Sequence, residues 1–137
     1  MADISVTPAN VIQSTGAVIE VGVAGEVIDA GEVVYKSATT GKYMLAQCDD
    51  EANDDAVGIA LNNAAADGQP LSVQTRGDIT IGGTVAVGTL YCLSATAGGI
   101  SPSAELVATN YVTLIGIGIS ATVLRLNLLT TSIQIPA

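Results

Sequence analysis

Val57-Gly58-Ile59-Ala60-Leu61 and Ile115-Gly116-Ile117-Gly118-Ile119 are two versions of one pattern. In both, a large aliphatic residue occupies every second position and Gly or Ala fills the places between. Successive side chains of an extended strand point to opposite faces, so each stretch predicts a strand with one bulky face and one nearly bare face. Glycine weakens a strand through lost packing and backbone entropy, and it belongs where another backbone or sheet comes very close. The two strands are therefore expected to be the buried centres of two related halves, with Gly58, Gly116 and Gly118 marking close sheet contact.

Outward from these strands the same order of elements recurs. Gly83-Thr84-Val85-Ala86-Val87-Gly88 corresponds to Gly25 through Gly31, Thr89-Leu90-Tyr91-Cys92 to Val33-Val34-Tyr35-Lys36, and Ser94-Ala95-Thr96-Ala97-Gly98 to Ser37-Ala38-Thr39-Thr40-Gly41. Val123 to Leu129 answers Leu71 to Thr75. Ser94 lies 57 residues beyond Ser37 and Gly116 lies 58 beyond Gly58, an offset steady enough to argue for an internal repeat. Short strands at close intervals, separated by Gly, Ser, Thr and Asn turns, predict an all-β sandwich or barrel built from two repeated β units. The expected organisation is an extended N-terminal arm over 1–14, one β domain over 15–129 and a C-terminal tail over 130–137. Within the domain, repeat one covers 17–77, closing at Arg76-Gly77, and repeat two covers 78–129.

Composition narrows the function. Apolar residues make up 49% of the 137, with no Phe and no Trp, so the core is expected to be Val, Ile, Leu and Ala, a bias that favours strands. Thirteen Asp and Glu against four Lys and Arg give a formal charge of -9. That charge repels phosphate backbones and anionic lipid, which argues against nucleic acid or a membrane as partner. Met1 to Ser5 shows no basic segment leading into an apolar run, so no secretory signal is expected and synthesis in a cytoplasm is. Leu106 to Leu124 carries no charge, but its period is two and polar residues interrupt it, which predicts a buried hairpin and not a membrane span. In a reducing compartment Cys48 and Cys92 act as small hydrophobes.

Chemistry is sparse. The chain has no histidine, which excludes His-activated nucleophiles and His-bearing zinc sites. Lys36 and Ser37 adjoin, but an activated nucleophile needs an orienting partner as well as a base. The acidic loop Asp49-Asp50-Glu51-Ala52-Asn53-Asp54-Asp55 offers oxygen ligands, yet it lacks the Asp-x-Asp-x-Asp-Gly order of a calcium loop. A solvated turn guarding a sheet edge is the simpler expectation for it. Gly116 to Gly118 lies within a strand pattern, without the following helix that a phosphate loop requires. Neither catalysis nor a cofactor or metal is expected.

The Val-Gly-Ile-Ala-Leu strand, the Gly-Gln-Pro-Leu-Ser-Val-Gln-Thr strand with Arg76-Gly77-Asp78-Ile79, and Gly-Thr-Leu-Tyr-Cys-Leu-Ser-Ala-Thr-Ala-Gly-Gly-Ile ahead of the second Gly-rich strand form a combination that resembles the small capsid decoration, or cement, proteins of tailed bacteriophages. The similarity runs from Gly25 to Leu129. It implies a β-rich structural virion protein that oligomerises, often as a trimer, on the outer surface of an expanded capsid and bridges neighbouring major capsid protein subunits. A head-fibre or adhesin-like module that binds host surface glycans through loops such as Asn62 to Gly68 is the alternative.

Outside the repeats, Ile4, Val6, Val11 and Ile12 in the arm and Ile133 and Ile135 in the tail form strand-like apolar patterns. Such segments can add to a partner's sheet edge, which makes them candidates for capsid or subunit contact. The competing expectation is that both ends pair within their own protomer.

Overall fold

One strand crosses the boundary expected between the halves. In the structure, a computed structural model describing residues 3–49 and 51–136, strand β6 runs unbroken from Pro70 to Ile81 through Gly77. Gly77 has φ +93, a left-handed conformation that L side chains rarely adopt, and a Cβ there would strike the Gly16 carbonyl and the Ala17 amide. At the bend Gln74, fully buried, donates from Nε2 to the Arg76 carbonyl at 3.1 Å and the Asp78 carbonyl at 2.8 Å. The Arg76-Gly77 turn that was to close the first half is therefore a bulge inside a continuous strand. Bulges sharpen the bend of a strand without ending it.

The remaining strands gather on the two ends of β6. They are β1 (Val11–Gln13), β2 (Val18–Val23), β3 (Val33–Lys36), β4 (Tyr43–Leu45), β5 (Gly58–Ala60), β7 (Leu90–Leu93), β8 (Ile100–Pro102), β9 (Tyr111–Gly118) and β10 (Val123–Gln134). Their order is β4-β3-β5-β6-β10-β9-β7-β8, and β1 and β2 also pair with β6. The strands pair antiparallel and form a curled half-barrel, so the fold is all-β as expected. The N-terminal part of β6 pairs with β2 and β5, its C-terminal part with β1 and β10. Single 3-10 turns at Pro8–Asn10, Glu51–Asn53 and Ser103–Glu105 are the helical content among the described residues.

A few pairs recur in like order, although the two repeated β units expected from the sequence are not shown as such. Val34 faces Leu45 and Gly58, and Tyr91, 57 residues further on, faces Pro102 and Gly116. Tyr91 thus stands where Val34 stands, not where Tyr35 does as the sequence alignment had it. A slip of one residue in a strand exchanges its faces, so Tyr35 and Tyr91 are not equivalent.

Two cores result. The larger joins Val33, Cys48 and Ile59 of the first half to Ile81, Leu93 and Leu124 of the second. The smaller, with Ile28, Val34, Tyr43, Leu71 and Val73, lies wholly within the first half. The outer face of β3 and β5 is therefore covered by the second half, while the inner face closes on its own loops.

The Gly-rich strands are crowded at Gly58 and Gly116, as expected. A Cβ on Gly116 would meet the backbone of Arg125 and Leu126 on the paired strand β10, and one on Gly58 would meet Val73 and the Gln74 carbonyl on β6. The intruding backbone thus belongs to the adjacent strand of the same sheet, not to a sheet packed above. Nor do Ile115 and Ile117 share one buried face. Ile115 is fully buried and Ile117 is 36% exposed, because the adjacent Tyr91 and Cys92 of β7 face Gly116 and Leu114, leaving Ile115 as an extra residue on β9, and a bulge of this kind re-aims the side chains beside it. Gly116→Val is expected to lower stability by about 1–3 kcal/mol through overpacking. Urea unfolding measures it, and an unchanged midpoint would refute the close approach of β10.

Candidate interaction surfaces

The arm lies on its own chain. Ile4 N donates to the Ile100 carbonyl and Thr7 N to the Gly82 carbonyl, both at 2.8 Å, and Ser94 Oγ bonds Asp3 Oδ2 at 2.7 Å. Gly31, Gly82 and Gly83 leave room for it: a Cβ on them would collide with Val6, the Thr7 carbonyl and the Ser5 carbonyl respectively. Val11 is buried in the larger core, and Ile4 and Val6 pack against it. Of the arm residues singled out for outside contact, only Ile12 points to solvent, at 59% exposed.

The tail behaves in the same way. It is not a separate element from 130 onward, because β10 continues to Gln134 and pairs there with Tyr111. Ile135 N then donates to the Asn110 carbonyl and its carbonyl accepts from Thr109 N, both at 2.8 Å. Ile135 is half-buried, whereas Ile133 is exposed.

The acidic loop is less a solvated turn than a tie between the halves. Asp54 is buried, and its carbonyl accepts from the fully buried Thr113 hydroxyl at 2.7 Å. Thr130 Oγ1 reaches Asp55 Oδ1 at 3.2 Å, and Gln47 Nε2 donates to Asp49 Oδ1 at 2.6 Å. Asp50 lies outside the described residues. Among the described residues no group of three His, Cys, Asp or Glu is placed to hold a metal ion. No described helix is long and apolar enough to cross a membrane.

Concave features are open and mix polar and apolar walls. A hollow of about 330 Å³ beside the arm is lined by Asp3, Asp29, Glu32 and the backbone of Gly98 and Gly99. Burial raises the Glu32 carboxyl above its usual range, although Oε1 accepts from Asp29 N at 2.7 Å. Ser37 Oγ accepts from Thr39 N and Thr40 N within its turn, and Lys36 Nζ sits 5.5 Å above the Tyr43 ring, so the two are held by separate partners. In the Asn62–Gly68 loop, Asn62 Oδ1 accepts from Ser72 N at 2.7 Å and Asn63 Oδ1 from Ala30 N at 2.8 Å. These side-chain carbonyls brace the loop itself.

Exposed aliphatic side chains lie on strands as well as on loops. β2 is exposed along most of its length, with Val21 at 74%. Leu90 and Ile117, directly opposite each other on β7 and β9, are exposed too. The sequence reading missed this pair by assigning Ile117 to a buried face. The available signal was polar: Ile117 faces Arg125, and Arg125 faces Asp78, two charged residues in one cross-strand row. The Arg125 guanidinium, hydrogen-bonded to Asp78, holds that carboxyl below the usual aspartate range. The stabilisation this brings is present above that range and is lost as pH falls through the lowered value, and in so exposed a pair it is small.

No family model, curated protein or solved structure matches the chain.

Cys48 and Cys92 are both free and buried. Burial, aided by the nearby Asp49 charge, pushes the Cys48 thiol up to about 11, and burial raises Cys92 as well. Thiolate is the reactive form, so neither is expected to react with a disulfide reagent in native protein at pH 7, and both are expected to react after unfolding. Rapid labelling of the native chain would contradict the core assignment.

Proposed function

We propose that the chain is a structural virion protein that binds the outer surface of a tailed-phage capsid as a homo-oligomer and bridges neighbouring major capsid subunits. The observation that carries this is a contrast in one molecule. Arm, tail and acidic loop are all bonded to the body, while Val21, Leu90, Ile117 and Ile133 remain outside on strands. Exposed apolar strand surfaces suit protein–protein contact.

The charge of -9 favours a place on the outside of a shell, away from packaged DNA. The trimer typical of the resembled family is compatible with this. Two alike-paired halves on one continuous strand form a stiff body suited to a mechanical role. A protein that binds only the mature lattice stabilises it by mass action, and many weak copies add through multivalency.

Purified protein, added in excess to expanded capsids lacking their decoration, is expected to co-sediment with them and to raise the temperature at which filled particles release DNA. Absence of the protein from the pellet would end this proposal.

A further inference from the structure

In the first half, Val33 on β3 faces Ile59 on β5, and both are fully buried beneath the second half. In the second half, Leu90 on β7 faces Ile117 on β9 in the same register, beside the matching Tyr91–Gly116 pair. Nothing among the described residues covers it: Leu90 is 48% and Ile117 36% exposed. Ile117 continues the row to Arg125 and Asp78, and the next row carries Ile12, Thr80 and Val123. Residues opposite one another in a sheet share a face, and so do residues two apart in a strand. One open face spanning β1, β6, β10, β9 and β7, about 19 Å across at about 4.8 Å per strand spacing, therefore presents Ile12, Ile117 and Leu90.

We propose that this face packs against a second copy of the chain. Two features of the molecule select that occupant. The equivalent pair, Val33 and Ile59, is covered by another β unit of the same chain, so the cover this surface type takes in the fold is a unit of its own kind. Charge selects it as well. Copies that each carry -9 repel, and they can meet only where charge cancels. The charged side chains in these two rows, Asp78 and Arg125, neutralise each other, with Arg125 Nε to Asp78 Oδ1 at 2.8 Å and Nη2 to Oδ2 at 3.3 Å. A cationic partner would be drawn to the acidic surfaces elsewhere. The contact deepens the capsid-binding proposal, on which it rests for the need of an oligomer, but it forms without a capsid.

Mass photometry and sedimentation across a dilution series test it. Wild-type protein is expected to show masses above the 13.7 kDa monomer, and Leu90→Lys to fall back to the monomer. Ile12→Lys, at the far edge of the same face, is expected to act alike, while Val107→Lys on an exposed loop keeps the wild-type mass. Wild-type protein that is monomeric at every concentration would overturn the proposal, as would unchanged masses in both Leu90→Lys and Ile12→Lys. Monomeric wild type combined with loss of capsid co-sedimentation in Leu90→Lys would overturn it in favour of the capsid as occupant. Oligomeric wild type and monomeric Leu90→Lys, neither pelleting with capsids, would uphold this contact and end the capsid proposal instead.

Discussion

The bend in β6 at Gly77 sets the relation between the two halves, and most of the structure depends on it. A strand in left-handed backbone at one point can serve two differently directed parts of a sheet, and the Gln74 amide bonds carbonyls on both sides of that point. Without the bend, the outer face of β3 and β5 would not meet the core of the second half. The larger core exists because it does.

The same geometry explains why the two ends of the sheet differ in exposure. The first half supplies its outer face to the shared core, and its inner face closes on its own loops. The second half supplies its inner face, so its outer face has no cover among the described residues. A sheet face left to water normally carries polar side chains, and here Asp78 and Arg125 share it with Ile12, Ile117 and Leu90.

The arm and the acidic loop hold this stacking in place. Four glycines beside the arm, Gly31, Gly82, Gly83 and Gly99, lack the Cβ that would collide with it, and Asp54 is held by Thr113 across the halves. Apolar alternation marked the arm as a strand-forming segment seeking a sheet. It did not say whose sheet, because a strand edge in the same chain and one in a partner present the same donors and acceptors.

The sequence by itself determined the strand class, because period-two alternation and glycine placement are local properties of the backbone. It also marked Gly58 and Gly116 as sites of close approach, though not the neighbour involved. Tertiary structure decided where alternation breaks: the bulge at Ile115, opposite Tyr91 and Cys92, separates Ile115 from Ile117, and the pairing of β7 with β8 and β9 gives Tyr91 the partners that match those of Val34. It alone decided that Val33 and Ile59 lie beneath a second layer while Leu90 and Ile117 do not. Burial depends on what packs above a face, and two strands alike in pattern carry no information about which of them will be covered.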